Sequence, residues 1–159
     1  VYVMVGDASY LMMNSEIVTM VQEGIKVIIV LLDNHGYASI GGLSKAVGSD
    51  GFGTKYRFRN EDSGQLDGDT LPIDFAANVA SLGAHVIKAS SMDELAEALL
   101  AAQKHEGGPV CVCVETDRRV RVPGYESWWD VAVAEVSDNP DVQQARTSYL
   151  EGKSKERYF

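Results

Sequence analysis

The chain has 159 residues, enough for one domain with a full core. Its charged fraction of 23% and hydrophobic fraction of 45% are those of an ordinary globular protein, and its net charge of −9 argues against a nucleic-acid footprint. No apolar run approaches the roughly 20 residues that span a bilayer, and no basic leader with a cleavage site precedes the first predicted strand, so the expectation is a soluble cytoplasmic domain that binds neither nucleic acid nor membrane.

Val1 to Val5 is an apolar run that reads as a buried strand. A chain that starts inside a strand reads as a piece of a longer one, cut just upstream of Val1. Asn14 or Ser15 is placed to cap a helix running to about Glu23. Ile17, Val18, Met20 and Val21 form its apolar stripe, and Gly24 stops it. Lys26 to Leu32 (KVIIVLL) is continuous, apolar and rich in β-branched residues, as a strand covered on both faces should be. Residues 35–72 read as a long irregular stretch rich in glycine and charge, a length that usually signals function or mobility.

Pro72 and Asp74 introduce a helix from about Ile73 to Leu82, and His85 to Lys88 is a short strand. Ser91 caps a helix from Met92 to Lys104, with Glu94 as the capping-box partner. Gly107, Gly108 and Pro109 end it, and Val110 to Glu115 is another buried strand. Pro123-Gly124-Tyr125 opens a different final part. There Trp128 and Trp129 read as anchors buried under the tail or at a subunit contact. A polar helix from Asn139 to about Gly152 follows, then a solvated tail from Lys153 to Arg157. The alternation predicts an α/β fold, a doubly wound parallel sheet in three α/β/α layers of flavodoxin type, over residues 1–122. Residues 123–159 are the extension packed on it. Cys111 and Cys113 share one face of the last strand and read as reduced core residues.

Two motifs sit where predicted strands end, which in an open parallel sheet is where ligands bind. They are Gly6-Asp7-Ala8-Ser9 and Asp33-Asn34-His35-Gly36-Tyr37. A carboxylate, a carboxamide and a glycine carbonyl make an oxygen-only donor set, suited to a hard divalent cation bridging to phosphate. Ser9 can offer its amide to a phosphate oxygen. The alternative for each motif is a capping or turn residue with no ligand.

Together the motifs resemble the signature of the thiamine diphosphate-dependent enzyme superfamily, Gly-Asp-Gly followed at a distance by Asn-Asn. The resemblance implies that Asp7, Asn34 and the main-chain oxygen of Gly36 hold Mg²⁺. It also implies that Gly6, Asp7, Ala8, Ser9, Asn34, Gly36 and Tyr37 line the cofactor's diphosphate end. Two positions depart from the pattern: Ala8 replaces the third glycine and Asp33 the first asparagine. The chain resembles the C-terminal, diphosphate-binding domain of such enzymes. The glutamate that activates the cofactor, and the apolar residue that bends it, are then expected outside this chain, on or before the pyrimidine-binding domain.

Tyr56 to Glu61, Leu66 to Phe75 and Gly124 to Val136 resemble the branch that hydrolyses a cyclic 1,2-dione in inositol breakdown. That branch implies covalent cofactor catalysis on a small polyhydroxylated dione, at a site shared with a pyrimidine-binding domain of the same or a neighbouring subunit, in a homodimer or homotetramer. Decarboxylating relatives often carry an acid shortly after the Gly-Tyr step. Here Ala38, Ser39 and Ile40 follow Tyr37. The competing readings are an acetolactate synthase-like carboligase or decarboxylase, and a non-catalytic flavodoxin-like binding module. A dinucleotide-binding turn would need Gly-x-Gly-x-x-Gly, which Gly6-Asp7-Ala8-Ser9 is not. His35 reads as an exposed turn residue with a catalytic role as the alternative. His85 and His105 read as structural or solvated. Arg57, Arg59, Arg118, Arg119 and Arg121 read mainly as solvated surface, with an anionic or polyhydroxylated substrate as the alternative.

Overall fold

The computed structural model describes residues 1–117, 120 and 128–157. They fall into two compact units, Val1–Gly36 with Thr70–Arg118, and Tyr37–Asp69 with Arg119–Phe159.

The first unit is an α/β layer structure. Its strands are β1 (Tyr2–Gly6), β2 (Ile28–Asp33), β3 (His85–Ala89) and β4 (Val110–Glu115). They form one four-stranded parallel sheet in the order β1-β2-β4-β3. Its helices are α1 (Asp7–Met13), α2 (Glu16–Gln22), α4 (Phe75–Ser81) and α5 (Met92–Lys104). The second unit contains α3 (Ala38–Ala46) and α6 (Pro140–Lys153).

The apolar runs of β2 and β4 make the centre of the sheet. Leu31, Val110, Cys111 and Val112 are fully buried, as two-sided coverage requires. Ala98 and Ala102 of α5 pack on Ile28, Val110 and Val112. β1 differs from the expectation of a buried strand. It lies at the sheet edge, and Tyr2, Val3 and Met4 are exposed. Apolar sequence sets the tendency to be covered, but an edge position leaves one side of the ladder and much of this strand's surface uncovered.

The helix expected from Asn14 or Ser15 to about Glu23 is α2, with Ser15 at its N-cap position, and an additional helix, α1, precedes it from Asp7. Ser15 has helical backbone angles and makes no capping hydrogen bond, so α1 and α2 run almost end to end. Gly24 does stop α2. Its φ of +63° reverses the chain, and Ile25 N–H closes on the Met20 carbonyl at 2.9 Å. α3 lies inside the stretch expected to be irregular. Its Gly41 and Gly42 lower helix propensity and hide it from a periodicity reading. Gly41 is needed there, because a Cβ would meet Thr54 Oγ1 at 2.9 Å.

Ser91 caps α5 as predicted, Asp74 caps the helix it was expected to introduce, and Asn139, expected as the first residue of its helix, is the N-cap instead. Asp74 accepts from Ala77 N–H at 2.9 Å, Ser91 from Glu94 N–H at 3.2 Å and Asn139 from Asp141 N–H at 2.9 Å. The capping box on α5 closes one residue early. The Glu94 carboxylate returns to the Ser90 N–H and hydroxyl at 2.7 and 2.6 Å. In the second unit Trp128 stacks on Tyr149 at 6.1 Å, while Trp129 is exposed rather than buried under the tail. Lys153 is the last residue of α6 and pairs with Asp130 at 2.7 Å and Glu156 at 2.6 Å, so it is not a free tail residue. No helix among the described residues is long and apolar enough to cross a membrane.

Candidate functional site

Asp7 opens α1 directly after the end of β1, and Asp33 to Gly36 turn away from the end of β2. Gly6 and Leu32 are register partners, so the two motifs emerge side by side at the carboxyl edge of the sheet. Asp7 is fully buried. Its Oδ1 accepts from Ala8 N–H at 2.8 Å, and its Oδ2 accepts from Asn34 N–H at 3.2 Å and Gly36 N–H at 3.0 Å. The turn can deliver both amides to one oxygen because His35 has φ +57° and Gly36 has φ +153°. A non-glycine residue in the left-handed region costs about 1–2 kcal/mol, a strain typical of functional turns.

A buried carboxylate is costly unless charge and hydrogen bonds compensate. Among the described residues Asp7 has three amide donors and no ion pair. Beside it, Asn34 Oδ1 is buried and accepts no hydrogen bond. Such an orphaned oxygen is rare in a folded protein and asks for a partner. A carboxylate without a counter-charge and a carboxamide oxygen without a donor fit a hard divalent cation. Among the described residues no group of three or more His, Cys, Asp or Glu side chains is placed for a metal, so any cation here relies on this mixed carboxylate–amide set.

The departures from the superfamily pattern have visible consequences. Ala8 is helical, so the position needs no glycine, and its amide is spent on Asp7. Gly6 sits at φ −76° with open space where a Cβ would go. Ser9 is exposed in the first turn of α1. Burial raises the Asp33 pKa, with the neighbouring Asp7 carboxyl adding to the rise against the His35 amide. Tyr37 belongs to the second unit. There its N–H donates to Thr54 O at 3.0 Å and its ring packs edge-on to Tyr56.

His35 is not a freely exposed turn residue. It is half-buried, with Nε2 at 3.1 Å from Glu115 Oε1 and Nδ1 at 3.4 Å from Asp33 Oδ1. His85 and His105 stack at 4.5 Å, a structural use as expected. Arg57 and Arg59 are not simply solvated. Their guanidinium groups donate to the Gly68 and Gly64 carbonyls and brace the 57–68 loop. Arg118, Arg119, Arg121 and the Pro123-Gly124-Tyr125 stretch lie outside the described residues.

The sequence reading missed a cleft of ≈ 480 Å³ over the carboxyl ends of β2, β3 and β4. Asp33 and His35 line it together with Asp74, Lys88, Cys113 and Glu115. Each lies at or near a strand end or caps the next helix. The topological rule for ligand sites was the available signal, but it needed the β4-β3 order that sequence alone does not give.

The fold is a doubly wound α/β domain with its polar cluster at the carboxyl edge. Residues 1–114 match the family described as thiamine pyrophosphate enzyme, C-terminal TPP binding domain, and the chain belongs to that family. It is 40% identical over all 159 residues to the 3D-(3,5/4)-trihydroxycyclohexane-1,2-dione hydrolase of Bacillus cereus, and 39% identical to that of Bacillus thuringiensis. The chain spans 24% of the length of each. Among solved structures it is similar to benzoylformate decarboxylase from Polynucleobacter necessarius, with TM-score 0.57 and 24% identity over 76% of this chain and 20% of that one. It is also similar to a thiamine diphosphate-dependent 4-hydroxybenzoylformate decarboxylase of Rhodococcus jostii, with TM-score 0.56 and 21% identity over 73% and 19%. At those identities the two structures bear on the fold alone.

Proposed function

We propose that this chain is the cofactor-anchoring domain of a thiamine diphosphate-dependent hydrolase. The hydrolase cleaves the carbon–carbon bond of a cyclic 1,2-dione, trihydroxycyclohexane-1,2-dione, in inositol degradation. Identity of 40% along the whole chain to relatives of that name supports the substrate class. The observation that carries the anchoring role is the buried Asp7 carboxylate beside the partnerless Asn34 oxygen.

Thiamine diphosphate, when bound, supplies a carbon nucleophile and an electron sink for breaking a bond between two carbonyl carbons. The work of this chain is to bind and orient. Asp7 and Asn34 would hold Mg²⁺ through side-chain oxygens and Gly36 through its carbonyl. Gly6, Ala8, Ser9 and Tyr37 would shape the diphosphate end, with Ser9 offering its amide to a phosphate oxygen. The Asp7 bonds to the Asn34 and Gly36 amides tie the two motifs together, which supports a donor set that would need little rearrangement to take the ion. The acid–base group that activates the cofactor would come from a pyrimidine-binding domain of the same or a neighbouring subunit. A cytoplasmic homodimer or homotetramer is the corresponding assembly.

Calorimetric titration of the full-length protein with thiamine diphosphate, with and without Mg²⁺, tests this reading. Asn34→Ala is the cleaner variant, because the fold makes no use of the oxygen it removes. Its expected result is loss of the Mg²⁺-dependent part of cofactor affinity with stability nearly unchanged. Undiminished Mg²⁺-dependent affinity in that variant would overturn the assignment.

A further inference from the structure

We propose that the cleft beside the metal turn is the recognition pocket for a neutral, polyhydroxylated six-membered ring, with Lys88 and Glu115 on its rim selecting that ring over anionic 2-oxo acids. This rests on the hydrolase reading above and deepens it. The cleft adjoins the proposed anchor, since Asp33 and His35, which line it, flank Asn34 in the chain. Its volume of ≈ 480 Å³ is in the range of small-molecule sites. Pro72, Ile73 and Val114, each at least partly exposed, supply apolar lining on which the C–H face of a ring can lie.

The rim is polar, and only part of it is spent on the fold. Ser90 and Glu94 satisfy each other. Asp74 uses Oδ1 on the Ala77 amide, and Glu115 uses Oε1 on His35, which leaves each with a second oxygen that accepts no hydrogen bond among the described residues. Lys88 makes no hydrogen bond or ion pair among the described residues. Asp33 and Glu115 face each other directly across β2 and β4. Like charges so placed disfavour the sheet, and His35 lies against both. The pocket therefore presents carboxylate acceptors in excess over one free ammonium donor.

That balance decides the ligand. Hydroxyl groups donate to carboxylates in charge-assisted bonds, and a ring carbonyl can accept from Lys88. An anionic oxo acid meets four lining carboxylates, Asp33, Asp74, Glu94 and Glu115, against a single lysine, and like-charge contacts reject it. The cleft thus favours the dione over the substrates of decarboxylating or carboligating relatives.

Cys113 gives a readout that does not depend on turnover. It lines the cleft, while Cys111 beneath it is buried with the two Sγ atoms 3.7 Å apart. The Cys111 thiol, and then the Lys88 ammonium beside it, hold the Cys113 thiol below its ordinary pKa. The experiment uses the full-length protein loaded with thiamine diphosphate and Mg²⁺. Iodoacetamide labelling of Cys113 is followed by peptide mass spectrometry, alone, with a polyhydroxylated cyclohexanone that lacks the second carbonyl, and with pyruvate. The ring ketone should slow labelling about tenfold near saturation and pyruvate should not. In Glu115→Gln and Lys88→Met the protection should weaken. The KM for the dione should rise about tenfold, more than kcat falls, while cofactor affinity stays.

Unprotected Cys113 labelling, or unchanged KM in both variants, with dione turnover intact in the unaltered protein overturns the pocket and leaves the hydrolase reading standing. Absence of dione turnover in that protein overturns both.

Discussion

Asp7 and Asn34 sit side by side in the proposed anchor, yet they carry different burdens. Asp7 holds the turn together through amides from Ala8, Asn34 and Gly36, all within 3.2 Å. Hydrogen bonds to a charged group contribute about 1.5–3 kcal/mol each, and orphaned buried amides cost more than the bonds were worth, so Asp7→Ala should lower stability by about 3 kcal/mol in urea unfolding. Asn34→Ala removes an oxygen the fold leaves unpaired, and the same measurement should find a change below about 0.5 kcal/mol. Equal losses in the two variants would contradict this division of labour. Tyr10 makes a separate prediction about pH. It is buried, donates to Asn78 Oδ1 at 2.7 Å, and burial pushes its pKa up to about 12. A tyrosine in the unfolded chain ionises near 10. Between those values the unfolded state loses its proton and the folded state keeps it, so stability present below pH 10 is lost as pH rises toward 12. Tyr10→Phe should cost about 1 kcal/mol at neutral pH and remove that alkaline slope. A persistent difference in slope of the opposite sign would refute the assignment.

Elements were legible where local chemistry and packing agree. The run KVIIVLL became the central strand β2, and Asp74, Ser91 and Asn139 cap helices as their residue types predict. α1 was hidden because Asp7 to Met13 reads as a turn motif followed by Leu11, Met12 and Met13, a block with no helical period and substantial exposure. α3 was hidden by its two glycines. In both cases placement in the fold overrode local propensity. The element boundaries in the second unit rest on close backbone approach, which no sequence pattern reports. Gly48, just after α3, has φ +82°. A Cβ there would strike the Asp141 carbonyl and lie 2.6 Å from Val142 N, at the start of α6. Gly53 has a similar φ of +74° with open space around it. Gly53→Ala should therefore cost only the left-handed penalty of about 1 kcal/mol, and Gly48→Ala about 3 kcal/mol, because backbone must also move. Thermal unfolding of the two variants separates strain from collision, and matching losses would show that α6 yields easily.

At the scale of the whole molecule, the two motifs lie at strand ends as the sequence reading expects, because an apolar run followed by polar residues marks the carboxyl edge of a parallel sheet. Within these 159 residues β1 pairs on one side only, with β2, which its apolar composition does not reveal. That difference has a consequence for the polypeptide on its own. Tyr2, Val3 and Met4 are exposed along β1, and the strand carries no charge, proline or bulge to blunt its unpaired side. The opposite edge, β3, carries His85 and Lys88. The net charge of −9 opposes self-association, but salt at about 0.15 M screens it beyond about 8 Å. The isolated 159-residue polypeptide should therefore associate as concentration rises, more strongly in high salt, as sedimentation velocity would register. Met4→Lys tells the two forces apart. The substitution weakens the net negative charge, so if global repulsion governed solubility the variant would associate more. If the β1 edge governs it, a lysine on that strand disfavours pairing with a second copy, and the variant should associate less. Less association at every salt concentration is the expected outcome, and a polypeptide that stays monomeric with Met4 in place would remove the β1 edge from the explanation.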